Sequence, residues 1–181
     1  MCQRSEAVTL CERARRGGQA RSCCETGGVE RTVRPCGPQH AVVVGTMLAG
    51  AFLDDPVMHW LQPLRSRRAA MLRRLFCAQL SHEYLPAGGV QMIGDHAGQP
   101  LAAAMWKPPD TIGSRTRRRA QVAMAAAVVT ALRTRVSAAL TLRGALDRAQ
   151  TVPTAPHWYL NKLGTAPAVR GQGLASALLS A

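Results

Sequence analysis

Leu160-Asn-Lys-Leu-Gly-Thr-Ala-Pro-Ala-Val-Arg-Gly-Gln-Gly-Leu-Ala-Ser-Ala-Leu-Leu179 decides the fold. It reads as a strand, a turn closed by Pro167, a glycine-rich loop and the start of an apolar helix. Gly171 and Gly173 allow backbone dihedrals that a Cβ would obstruct. Where such a loop opens into a helix, several N–H groups lack intrahelical acceptors and lie at the positive end of the helix dipole. That arrangement holds anions, phosphate above all. Arg170 adds a planar cation suited to two parallel hydrogen bonds with phosphate. A glycine loop by itself is common between strands and helices; the full order of strand, turn, Arg, paired glycines and helix is far more specific.

Two upstream segments extend the pattern. Ala51-Phe-Leu-Asp-Asp-Pro56, followed by Trp60, ends a helix, and Gly98-Gln-Pro-Leu-Ala-Ala-Ala-Met-Trp106 is the second half of a hairpin. With Arg170-Gly-Gln-Gly-Leu-Ala175, which fits an acyl-CoA signature of the form Arg/Gln-x-x-Gly-x-Gly/Ala, they resemble the GCN5-related N-acetyltransferases from residue 32 onward. The resemblance implies an α/β (α+β) fold with a mixed, mostly antiparallel central sheet flanked by helices. It also implies transfer of an acetyl group from acetyl-CoA to an amine of a small molecule or peptide. Leu163, Gly164 and Thr165 would bond the pantetheine arm through backbone groups. Arg170, Gly171, Gln172, Gly173, Leu174, Ala175 and Ser176 would hold the pyrophosphate, and Asp54, Asp55 and Trp60 would border the acceptor groove. The chain stops at Ala181, so the resemblance further implies a C-terminally truncated member lacking the last strands. The free edge of its central strand would then call for a dimer mate or partner, and Leu174, Ala177, Leu178 and Leu179 would sit partly in water.

The remaining sequence bounds the alternatives. At 181 residues, 47% of them hydrophobic, the chain can bury a core of its own. Its net charge of +13 rests almost entirely on Arg. Such a balance favours polyanions in general, or reflects codon usage in a GC-rich genome. Five of the six cysteines fall within the first 36 residues without a Cys-x-x-Cys pair or matching histidines, so no metal site is expected. No apolar leader or run of membrane-span length is visible, which points to the cytoplasm. Residues 1–31 read as a poorly ordered extension before a single domain at 32–181.

Within that domain, Thr32-Val-Arg-Pro35 reads as a first strand stopped by proline. Val43, Met47, Leu48 and Phe52 give helical spacing over 40–52, which Asp54-Asp-Pro56 ends. Arg65–Leu85 is a second amphipathic helix; Met71, Leu72, Leu75, Phe76 and Leu80 form its apolar stripe, and Arg67, Arg68, Arg73 and Arg74 its solvated face. Val90–Asp95 and Leu101–Lys107 are hairpin strands. Arg115–Ala149 is helix-forming, with Leu132, Val136, Leu140 and Leu146 as its apolar positions. Packing on the domain, an anionic membrane surface or a polyanion would each suit it.

His157, at the start of the central strand, is the candidate general base, and an ordinary strand-end histidine is its plainer reading. His82 and Glu83, at the end of the second helix, are weaker candidates still. Two other functions compete with acetyl transfer. A non-catalytic CoA-binding remnant or interaction module fits the short C-terminus, and a basic nucleic-acid-binding protein fits the charge. The second lacks any helix-turn-helix, zinc-finger or aromatic-platform pattern, so no specific nucleic acid is expected.

Overall fold

A computed structural model describes residues 32–109, 135–149 and 157–181, with isolated helical positions at 122, 125–126 and 129–130. The extension at 1–31, most of 110–134 and the linker at 150–156 lie outside the described residues. Four strands form one antiparallel sheet in the order β1-β2-β3-β4: β1 (Arg34–Pro35), β2 (Val90–Gly94), β3 (Pro100–Lys107) and β4 (Tyr159–Thr165). β1 is shorter than Thr32–Pro35 because its pairing reaches only Arg34 opposite Met92 and Pro35 opposite Gln91.

The hairpin follows its sequence pattern. Gly98 takes a positive φ of 79°, and Asp95 Oδ1 accepts the Gln99 N–H at 2.7 Å, so the connection closes on itself. Alternation then sorts side chains to two faces. Val90, Met92, Ala103 and Met105 meet one helical layer, and Ile93, Ala102 and Ala104 meet the other.

The first layer consists of α1 (Ala41–Ala51) and α3 (Arg65–Gln79). Val44, Leu48, Met71, Leu72, Phe76, Leu80 and Tyr84 fill it against the sheet. Each such large side chain contributes roughly 1.5–3 kcal/mol by leaving water. α1 approaches α3 closely at Gly45, where a Cβ would stand 2.6 Å from Cys77 Sγ. Burial raises the thiols of Cys36, to about 11, and of Cys77, so both stay protonated and inert. The α3 helix ends in a π-helical turn over Leu80–Tyr84.

Asp55 does more than stop α1. Its Oδ1 accepts the N–H groups of Val57 (2.9 Å) and Met58 (3.1 Å), capping a short α2 (Pro56–Leu61) that has Pro56 in its first turn. An Asp55→Ala variant should therefore lose about 1 kcal/mol in urea unfolding. An unchanged midpoint would show that this cap is idle.

One sequence expectation fails in this layer and another holds only in part. Arg68 does not sit on a solvated face; it is 4% exposed, because three carbonyls near the ends of α1 and α2 draw it inward. The helix α4 (Val136–Ala149) packs Val136, Ala138 and Ala139 against the first core cluster, but Leu140 is 64% exposed. The described part of that segment therefore packs on the domain through half-buried positions at the start of α4. Of the expected apolar positions, Val136 takes part and Leu140 does not, while Leu132 and the Leu146 side chain lie outside the described residues.

The second layer is α5 (Leu174–Leu179). Leu174 and Leu178, expected partly in water, are each 1% exposed, because α5 lies back over Ile93, Ala102 and Ala104. Ala177 is half-buried, and only Leu179 stands out, at 52%. β4 pairs with β3 along one edge; among the described residues no strand lines the other. No described helix is long and apolar enough to cross a membrane.

Candidate active site

β4 carries the site. Its register against β3 slips by one residue: Met105 pairs with Lys162, but Trp106 pairs with Leu160, leaving Asn161 as a bulge. The bulge changes which face the strand presents. Leu160 joins Trp106 in the α5-side cluster, whereas Lys162 turns toward Phe76 in the α1/α3 layer.

Beyond the bulge, the strand draws close to the end of α1. A Cβ on Gly164 would lie 2.7 Å from Leu48 Cδ2 and 3.3 Å from the Phe52 ring, so glycine permits this approach. A cavity of about 420 Å³ opens there, lined by Ala51, Phe52, Asp54, Asp55, Leu163, Gly164, Thr165 and Arg170. The structure thus brings together the expected strand residues, the Asp-Asp turn and the signature arginine.

The loop after β4 is built for open backbone. A 3-10 turn over Pro167–Val169 leads to Arg170; Gly171 and Gly173 both take φ of 77°, in the left-handed region. Nothing lies within 4 Å of where either Cβ would be, so the backbone here faces open space. Gly173 caps α5, whose first-turn N–H groups have no intrahelical acceptor. Gln172 and Ser176 are exposed, Ala175 is half-buried, and the Leu174 side chain belongs to the core, so only its N–H is available to the loop.

Arg170 reaches across the cleft, and its Nη2 donates to the Ala51 carbonyl at 2.6 Å. A cation at the last carbonyls of α1 suits that helix's dipole and ties the two walls together. Asp54 forms an exposed ion pair with Arg65. Trp60 lies apart from the aspartates' cleft. It lines a second, apolar cavity of about 400 Å³ with Pro56, Val57, Thr141, Leu142 and Ala145.

His157 lies ahead of β4, half-buried, and does not line the 420 Å³ cavity. At about 3.3 Å per residue, it stands roughly 20 Å along the chain from Leu163. Sequence reasoning overlooked Lys162. Its Nζ lies 5.9 Å from the Phe76 ring centroid and donates to Asn161 Oδ1 at 2.6 Å. Burial pulls its pKa down to about 8, with the Glu83 carboxylate partly opposing the shift. The available signal was a lone lysine inside an apolar strand, but only the bulge reveals which way it points.

No family profile and no curated protein matches the sequence. Among solved structures, one described as histone acetyltransferase HPA2 and related acetyltransferase, from Corynebacterium glutamicum ATCC 13032, is 28% identical. It superposes with a TM-score of 0.56 over 82% of this chain and 67% of that one. A second, described as an acetyltransferase, is 13% identical with a TM-score of 0.39 over 82% of this chain and 70% of its own, a likeness too weak to bear on the fold. The first likeness agrees with the antiparallel sheet between two helical layers and with the strand–loop–helix unit at its edge, and on these grounds the chain has the fold of the GCN5-related N-acetyltransferases.

Proposed function

We propose that this chain is an acyltransferase that moves the acetyl group of acetyl-CoA to an amine. The carrying observation is the 420 Å³ cleft at the end of β4, lined by Arg170, which is followed directly in the chain by the left-handed glycines 171 and 173 at the start of α5. In this reading Gly171 to Ser176 hold the pyrophosphate through backbone N–H groups, and Arg170 supplies the cation. Leu163, Gly164 and Thr165 line the cleft where the pantetheine arm and thioester would lie. Backbone N–H groups of the strand there would polarise the thioester carbonyl. Asp54 and Asp55 on the opposite wall give the cleft a negative side, suited to drawing in an amine. The acetyltransferase description of the solved neighbour supports the same reading.

Calorimetry with acetyl-CoA tests this directly. The wild-type chain should bind, and Gly173→Asp should weaken binding at least tenfold. The variant places a Cβ at a positive φ and a carboxylate where the pyrophosphate would sit. A folded wild-type sample that binds no acetyl-CoA would overturn the assignment.

A further inference from the structure

Of the 23 Lys and Arg residues in the chain, only Lys107 and Lys162 are lysines. Arg stays charged at any ordinary pH, whereas Lys can lose its proton and become a nucleophile. Lys107 ends β3 and is exposed; Lys162 is turned into the α1/α3 layer by the Asn161 bulge.

The surroundings of Lys162 lead to the cleft. Its ammonium lies over Phe76, and Phe76 packs on Phe52 with ring centroids 5.5 Å apart. Phe52 lines the cavity, as does Gly164, two residues beyond Lys162 on the same face of β4. The amine is thus one aromatic layer from the cavity and one residue from the strand segment proposed to carry the thioester.

Asn161 Oδ1 and the Phe76 ring favour the ammonium, but little opposite charge stands around it. α1 contains no ionisable residue, α3, which carries Phe76, contains arginines and Cys77 but no carboxylate, and the β3 residue paired with Lys162 is Met105. Lys107 is paired with Tyr159, at the far end of β4. Among the described groups, Glu83 on the π-helical turn is the charge that acts on it. A pKa near 8 leaves a substantial neutral fraction under mildly basic conditions.

We propose that Lys162 is itself an acetyl acceptor, modified by the acetyl-CoA that this cleft binds. This inference rests on the CoA-binding reading given above. Swung from Phe76 along its own face of β4 toward Gly164, the Lys162 nitrogen attacks the thioester carbonyl carbon; a C–N bond forms as the C–S bond breaks. The proton shed by the nitrogen leaves with the sulfur as CoA-SH, and an acetylated lysine remains on β4. Acetylation removes the charge facing Glu83 and sets a neutral amide beside Phe76 at the cleft wall.

The test is incubation of the full chain with acetyl-CoA, followed by intact mass and peptide mapping, with binding measured on the same sample. Expected are a gain of one acetyl group on the Lys162 peptide, one equivalent of CoA-SH, and a rate per molecule independent of protein concentration. That rate should rise about tenfold from roughly pH 7 to pH 9 as the amine deprotonates. Lys162→Arg should remain unmodified. Binding without modification would overturn this inference and leave the CoA reading standing; absence of binding would overturn both. Equal labelling of Lys107 and Lys162 would mean chemical acetylation in solution, and would also overturn it.

Discussion

Urea unfolding of an Arg68→Met variant is expected to show a loss of about 3 kcal/mol, a large share of a small domain's stability. The methionine replaces the stem of the side chain nearly isosterically, so packing volume is kept. What disappears is the guanidinium fork. Its Nε donates to Leu53 O at 2.7 Å, and its Nη1 to Gln62 O at 2.8 Å and Pro63 O at 2.9 Å. Those carbonyls follow the ends of α1 and α2, and with Arg68 only 4% exposed, little water can replace it. Each carbonyl stranded in this setting costs about 1–3 kcal/mol, offset in part because a buried cation no longer needs desolvating. Arg68→Lys should recover only part of the loss, since an ammonium cannot span three acceptors in the same plane. Because Leu53 adjoins Asp54 and Asp55, which line the cleft, loosening this junction should also weaken the acetyl-CoA binding proposed for it. A loss below about 1 kcal/mol would mean that the carbonyls find other donors.

Lys162→Met is expected to do the opposite below about pH 8, raising stability by roughly 1–3 kcal/mol. Folding lowers the lysine pKa from 10.5 to about 8, so the folded chain carries a charge that it disfavours. Below pH 8 both folded and unfolded chains hold the proton, and the penalty is fully present. Between about 8 and 10.5 the unfolded chain binds more protons than the folded one, so wild-type stability rises with pH across that window, by about 3 kcal/mol from this group. Above it the penalty is gone. In Lys162→Met the rise should vanish, and the two curves should converge at high pH. Losing Glu83's counter-charge offsets part of the gain. Parallel pH profiles for the two proteins would show that Lys162 is solvated after all.

These two residues mark where sequence and structure part. Helical spacing gave α1 and α3 because the stripe of Met71, Leu72, Phe76 and Leu80 does meet the sheet. The alternating apolar run around Gly98 gave the hairpin, and the glycines at 171 and 173 gave the loop, since each of the three needs a positive φ. Such features are local: the residue type and its backbone demand coincide. Arg68 sits among charged neighbours on a helix whose other arginines, Arg65, Arg67, Arg73 and Arg74, are exposed. Nothing in its own segment distinguishes it; the carbonyls that bury it come from turns six and fifteen residues away. Lys162 was hidden by a register slip against β3, a pairing between segments more than fifty residues apart. α5 was misjudged likewise. Its apolar side chains looked uncovered because the cover, Ile93, Ala102 and Ala104, belongs to a hairpin far upstream.

The bulge at Asn161 has a consequence for how this chain can change over generations. It divides β4 into two stretches whose side chains keep separate phase. Leu163 to Thr165 are bound to the glycine loop, to α1 and to the cleft, while Tyr159 and Leu160 answer to Trp106 and Lys107. A substitution in the outer stretch therefore need not slide the inner one out of place. The outer half can drift toward new molecular neighbours while the cleft-facing half keeps its inherited geometry.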